Sequence, residues 1–266
     1  MQPAEQKWNA EDYAKNSSAQ LKWAQELISK LALQGYESVL DIGCGDGKIS
    51  AQLALAVKDG RVLGIDLSED MIRLASSQFP PAKYPNLSFV RMNATGIRLS
   101  ERCDVAFSNA TLHWVKDHIA ILHGAHVSLK PGGKILFQMG GRGNATEVFG
   151  TIGKVLEHPQ WRRYFDDFTQ PYHFYGAEEY KDWLLECGFR PVRVELVPKD
   201  MQHQGAEGLK GWLRTTWFPY TNRLPVELRD AFLTEVVETH VAAYPIDAFG
   251  NTIVKMVRLE VEAYAL

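Results

Sequence analysis

Asp41 ends an apolar run, and glycines follow it at 43, 45 and 47 in "VLDIGCGDG", residues 39–47. Alternating glycines let the backbone turn sharply and approach a ligand, and the N-terminus of a following helix can serve a carboxylate. A dinucleotide fingerprint requires a glycine at the sixth position of this motif, where Lys48 stands instead. A carboxylate at Asp41 would repel a pyrophosphate but welcome a cation, so the loop suits a cationic, amino-acid-like moiety. A second acid, Asp66, ends "RVLGID" (61–66), and Asn93 lies in "RMNAT" (91–95). Finally "SNATLHWVKDH" (108–118) presents Ser108, Asn109, His113 and Trp114 in one short stretch. Histidine titrates near neutrality and is a candidate base; tryptophan joins an apolar ring to one N–H and prefers a site with one wet end.

Each of these residues follows a strand-like run. "SVLDIG" (38–43), "RVLGID" (61–66), "LSFVRM" (87–92), "DVAFSN" (104–109) and "KILFQM" (134–139) are continuously apolar rather than alternating, which predicts strands buried on both faces of a parallel sheet. Helical spacing lies between them: Ile49, Leu53, Ala56 and Val57 share one face, and Ile119, Leu122, His126 and Leu129 another. "KPGG" (130–133) carries the stop and turn residues expected between a helix and the next strand. The architecture is α/β, doubly wound with right-handed crossovers, and such sheets bind ligands at the C-terminal ends of their strands. Ahead of it, Leu21, Ala24, Leu27, Ile28 and Leu31 mark an amphipathic helix with Ser17 or Ser18 as N-cap. "RPVRVELV" (190–197) and "NTIVKMVRLEVEAY" (251–264) are expected to close the sheet, while residues 157–185 and 209–220 are dense in aromatics.

Composition narrows the partners. The 29 Lys and Arg against 32 Asp and Glu leave a charge of -3, with no basic tract to bind nucleic acid. No apolar run approaches the roughly 20 residues needed to cross a bilayer, and the first residues have no signal-peptide pattern, so the expected location is cytoplasmic. Cys44, Cys103 and Cys187 stand far apart, which suggests neither a disulfide framework nor a zinc site, and no metal is expected. His123 and His126 read as core histidines, and Glu101 with Arg102 as a surface turn. The oligomeric state is open.

With these elements in order, the sequence resembles the class I S-adenosylmethionine-dependent methyltransferases. "LDIGCGDG" looks like that family's glycine-rich motif, "GID" supplies Asp66 as the acid that holds both ribose hydroxyls, and "LKPGGKILF" matches its turn into strand five. Asn93 is a departure, because the family usually carries Asp there for the adenine amino group; an amide oxygen can still accept that bond. The resemblance implies a Rossmann-like, seven-stranded, mostly parallel sheet with helices on both faces. It also implies an N-terminal helical lid over 1–35 and a core over 36–266, in which 142–188 and 200–250 form an aromatic-rich substrate cap. The implied cofactor is S-adenosylmethionine, leaving as S-adenosylhomocysteine. Its contacts would be Trp8, Tyr13, Asp41, Gly43, Cys44, Gly45, Asp66, Leu67, Met71, Asn93, Ala94 and Asn109.

A loop "HW" pair faces the acceptor in a subset of small-molecule methyltransferases, and "WNAEDY" (8–13) with residues 217–245 also looks similar to carboxyl methyltransferases of the trans-aconitate type. The acceptor implied is the carboxylate of a small organic acid, touched by Trp114 and Gln20, with His113 and Trp114 as the catalytic candidates. A carboxylate is already a nucleophile and needs only placement and desolvation. A hydroxyl, amine or carbon acceptor, or an acid borne on a carrier protein, is the alternative, and the first three would need His113 as base. A binding protein without turnover is the second alternative. Arg142, Arg214 and Arg223 can clamp a further acidic group but read first as solvated.

Overall fold

The computed structural model describes the backbone from Ser18 to Leu266 and side chains from Trp23 onward. In chain order the elements are α1 (Ser18–Ser29), β1 (Ser38–Ile42), α2 (Lys48–Ala56), β2 (Arg61–Asp66), α3 (Glu69–Gln78), β3 (Leu87–Arg91), β4 (Cys103–Asn109), α4 (His118–Ser128) and β5 (Leu129–Gly140). Then come α5 (Thr146–Leu156), α6 (Pro159–Arg162), α7 (Ala177–Glu186), β6 (Phe189–Pro198), β7 (Met201–Gln204), α8 (Gly205–Thr216), α9 (Phe218–Thr221), α10 (Val226–Ala243), β8 (Asn251–Val254) and β9 (Val257–Ala265).

Seven strands form one sheet in the order β3-β2-β1-β4-β5-β9-β6. β1 to β5 run parallel to one another, and β9 pairs antiparallel with β5 from Lys134↔Tyr264 to Gly140↔Arg258. The sequence reverses direction across the sheet between β1 and β4, the switch point at which such folds bind ligands. Alternate residues of each strand serve opposite faces. Leu40, Ile42, Ala106, Ile135 and Phe137 pack with Ile121, Leu122 and Ala125 of α4 and with Tyr180 and Leu184 of α7. Val39, Val62, Val105, Phe107 and Leu136 pack with Leu27 of α1 and Leu53 and Ala54 of α2.

The chain divides into two compact units. One takes everything described up to Arg142, with Tyr172–Val197 and Arg258–Leu266; the other takes Gly143–Pro171 and Pro198–Val257. The second unit joins α5, α6, α8, α9 and α10 to a two-stranded sheet of β7 and β8. Phe149 meets Trp217 edge-on at 4.6 Å, Trp161 meets Phe232 at 5.3 Å, and the Trp161 indole N–H donates to Glu235 at 2.7 Å.

Several local expectations shift. The 251–264 run breaks in two: Asn251–Val254 pairs with β7, and only β9 enters the large sheet. The aromatic stretch divides near residue 171, because Tyr180, Leu184 and Cys187 belong to the core beneath the sheet. β3 is an edge strand with Val90 and Arg91 exposed, so its apolar run covers one face rather than two. On α2 the buried face is Ser50, Ala51, Leu53 and Ala54, while Ala56 is exposed. On α4, His118, Ile121, Leu122 and Ala125 are buried, Ile119 and His126 half-buried and His123 exposed: the face is rotated by about one residue, so His126 lies at its rim and His123 outside it. "KPGG" falls inside β5, where the ladder jumps from Cys103↔Leu129 to Val105↔Lys134. Ser17 lies outside the described residues.

Candidate active site

The glycine loop leaves β1 at the switch point. The Gly43 and Cys44 N–H groups both donate to Ile65 O, at 2.7 and 3.0 Å, which turns the chain back over β2. Each glycine has φ in the left-handed region, at 76°, 53° and 82°, but for different reasons. A Cβ on Gly43 would stand 2.0 Å from Thr111 Cγ2, and one on Gly47 would stand 2.8 Å from Phe89. Those two are packing glycines. A Cβ on Gly45 would meet nothing within 4 Å, so this is the position where the loop leaves room for a ligand.

Two carboxylates lie beneath the loop. Asp41 is 2% exposed and accepts a 2.6 Å hydrogen bond from Ser50 Oγ. Burial pushes its carboxyl up to about 7; the Ser50 bond opposes that shift and Asp66 adds to it. Asp66 accepts from the Gly45 N–H at 3.0 Å and the Ser68 N–H at 2.8 Å, and burial raises it despite those bonds. Ser68 caps α3 by accepting from Met71 N; Met71 is buried, and Leu67 is exposed. Burial lifts the Cys44 thiol well above its usual range, with Asp41 and Asp66 adding to the effect, so Cys44 is inert as a nucleophile. The buried Asp41 and the half-buried Asp66 beside an open glycine backbone fit a ligand that carries positive charge.

Asn93 is exposed at the end of β3 and caps the single turn Ala94–Gly96, its Oδ1 accepting from Thr95 N at 3.0 Å. That leaves its amide nitrogen as a donor, where Oδ1 was expected to serve as the acceptor. Ala94 is half-buried beside it. Asn109 ends β4, 6% exposed. The Ser108 hydroxyl, expected near a reacting group, instead donates to Ile42 O at 2.7 Å and is fully buried, pinning β4 to β1. Thr111 Oγ1 donates to Gly43 O at 3.0 Å, tying the loop after β4 to the glycine loop.

That loop carries His113 and Trp114 on the turn Leu112–Trp114. His113 is 8% exposed; its Nδ1 accepts from the Gly140 N–H at 3.4 Å, which places its proton on Nε2. Burial, then the charge of Arg258 and then His118 hold the ring neutral, its pKa pushed down to about 3. His113, Trp114, Tyr172 and Phe174 cluster, with Trp114 and Tyr172 centroids 4.7 Å apart. His118 fixes the far end of the loop: Nε2 reaches Leu112 O at 3.0 Å and Nδ1 the Tyr180 hydroxyl at 2.9 Å.

Among the described residues the structure thus brings Asp41, Gly43, Cys44, Gly45 and Asp66 together at β1 and β2, and ties that loop to the segment bearing Asn109, His113 and Trp114. Trp8 and Tyr13 lie outside the described residues, as does the side chain of Gln20, which stands in α1. The arginine clamps have other contacts: Arg142 pairs with Glu179 at 2.5 Å, Arg223 with Asp167, and Arg214 is exposed. Ser50, Thr111 and Arg258 were missed, because hydroxyls and a distant strand residue carry no local signature, whereas Tyr172 lies in the aromatic stretch expected to form the cap. Among the described residues no three His, Cys, Asp or Glu gather as a metal site, and no helix is long and apolar enough to cross a membrane.

Known proteins place this geometry. Residues 39–133 match the methyltransferase domain family. An uncharacterized methyltransferase of Schizosaccharomyces pombe is 32% identical over 72% of this chain and 74% of its own length. Trans-aconitate 2-methyltransferase of Rhodopseudomonas palustris is 28% identical over 95% of this chain and 96% of its own. In fold, the chain is similar to Haemonchus contortus phosphoethanolamine N-methyltransferase 2 in complex with S-adenosyl-L-methionine, with a TM-score of 0.62 at 17% identity, covering 96% of this chain and 56% of that one. The open Gly45 backbone and the two acids, Asp41 and Asp66, fit that cofactor. The chain belongs to the class I S-adenosylmethionine-dependent methyltransferases.

Proposed function

We propose that the methyl acceptor is the carboxylate of a small organic acid and the product a methyl ester. The observation that carries this reading is the state of His113. Its Nδ1 lone pair is committed to the Gly140 N–H, and burial opposes protonation, so Nε2 offers an N–H rather than a base. Bound S-adenosylmethionine supplies an electrophilic methyl, which an ionised carboxylate takes without losing a proton. The protein then has only to bind, orient and exclude water. Asp66 is the ribose ligand, Asp41 and the Gly45 backbone face the amino-acid end, and the Asn93 amide reads the base. The His113 and Trp114 N–H groups donate to the acceptor, with Tyr172 and Phe174 excluding water. The near full-length likeness to trans-aconitate 2-methyltransferases supports the same class of acceptor.

The test incubates the protein with methyl-labelled S-adenosylmethionine and a panel of di- and tricarboxylic acids, followed by mild alkali and counting of volatile methanol. Volatile label is the expected result. Label held in a non-volatile product would overturn the ester and require a base other than His113 Nδ1, and label in no product would leave cofactor binding alone.

A further inference from the structure

We propose that the Thr111 hydroxyl couples the cofactor loop to the acceptor loop, so that S-adenosylmethionine bound at the first tightens the turn that carries His113 and Trp114. The proposal rests on the assignment of those two loops above, and not on which atom of the acceptor takes the methyl. Thr111 stands at the N-cap of the turn Leu112–Trp114. From that position a threonine oxygen ordinarily accepts an N–H of the turn it precedes. Here it makes no such bond. The hydroxyl reaches out of its own loop instead, donating to Gly43 O at 3.0 Å and sharing that proton with Asn109 O at 3.2 Å.

The two loops also interlock by shape. A Cβ on Gly43 would stand 2.0 Å from the Thr111 methyl and 2.5 Å from its oxygen, so the threonine side chain lies against bare backbone. Ala110, immediately before it, holds φ at 56°, a left-handed conformation that residues with a Cβ adopt rarely and keep where their surroundings enforce it. Its N–H donates to Gln138 O at 2.8 Å, which fixes it to β5. Short links run outward from Thr111 on both sides. Toward the cofactor, Gly43 accepts its proton, and two residues on the Gly45 N–H donates to Asp66 at 3.0 Å. Toward the acceptor, the Trp114 N–H donates to Thr111 O at 3.0 Å and closes the turn. A loop with glycine at 43, 45 and 47 has backbone freedom to lose when a ligand settles on it. Fixing the Gly43 carbonyl fixes the acceptor of the Thr111 bond, and that bond then holds the start of the turn. Thr111 is a positioning residue, acting through the turn that bears His113 and Trp114. Coupling of this kind is reciprocal, so an acceptor seated at the turn tightens the cofactor by the same factor, and each substrate favours a site that already holds the other.

The test is hydrogen exchange followed by NMR at the Trp114 and Val115 amides, without ligand and with saturating S-adenosylhomocysteine, for the wild type, Thr111→Val and Thr111→Ser. In the wild type the ligand should slow both amides by about fivefold, as expected for one neutral hydrogen bond. Thr111→Val keeps the shape and loses the proton, so the slowing should vanish while S-adenosylhomocysteine affinity falls by no more than the same factor. Thr111→Ser keeps the hydroxyl and should keep the slowing. Slowing in Thr111→Val equal to that of the wild type would overturn the coupling, as would a wild type in which the ligand slows neither amide. Should Thr111→Val fail to fold, Thr111→Ser carries the test, since loss of the slowing there would assign it to the methyl contact and overturn the role of the hydroxyl. Asp66→Ala separates the coupling from the loop assignment on which it rests: S-adenosylhomocysteine affinity should fall by about tenfold or more, and an unchanged affinity would overturn that assignment.

Discussion

The acid at the end of β1 is the residue on which pH should act most directly. Asp41 ionises near 7 when folded and near 3.8 in the unfolded reference. A carboxyl that is harder to ionise in the fold than out of it stabilises fully below its unfolded value, and that contribution is lost as pH rises through the folded one. Urea denaturation should therefore show wild type losing about 2 to 3 kcal/mol relative to Asp41→Asn between pH 5 and pH 8; parallel curves would refute the raised ionisation of the buried carboxyl. A cationic ligand reverses the preference, so cofactor binding near pH 6 should release a proton in the wild type and none in the variant. Asp41, Gly45 and Asp66 were legible in sequence because their chemistry sits in consecutive residues after a strand. The role of His113 was not, since whether its ring is base or donor depends on the Gly140 N–H, which lies 27 positions away.

Strands were easier to read than their surroundings. A buried parallel strand must be apolar on both faces, and β1, β2, β4 and β5 could be recognised by that run alone. The same rule misjudged β3, because nothing within five residues tells an edge from a centre, and it fused β8 to β9, because both are β-rich and only partners separate them. Long-range anchors were invisible for the same reason. The turn bearing His113 and Trp114 is pinned to α7 by the His118–Tyr180 bond and to the segment ahead of α7 by the Tyr175 hydroxyl, which donates to Lys116 O at 2.7 Å. Tyr180→Phe strands the His118 Nδ1 in a fully buried site and should cost about 1 to 3 kcal/mol in chemical denaturation. Amide exchange over 112–118 should quicken, with S-adenosylhomocysteine affinity little changed; unchanged exchange would show that the turn holds itself.

At the scale of the whole chain, both units are assembled from separated segments, and the sheet is no exception. Deletion of residues 257–266 should abolish cooperative thermal unfolding, whereas loss of Leu266 alone, which is 76% exposed, should leave the melting temperature within about 1 °C. A truncated protein that still melted cooperatively would mean that the rest of the sheet closes unaided. The reason lies in the order of the strands. β9 is the last of them to be made, yet it lies between β5 and β6, both made earlier. During synthesis β6 therefore has no neighbour on the β5 side until β9 has left the ribosome. It must wait with its backbone groups unpaired, and final assembly resembles threading a stave between two already standing. A nonsense mutation just ahead of Val257 would remove an interior strand, with the severity of a mutation in the core.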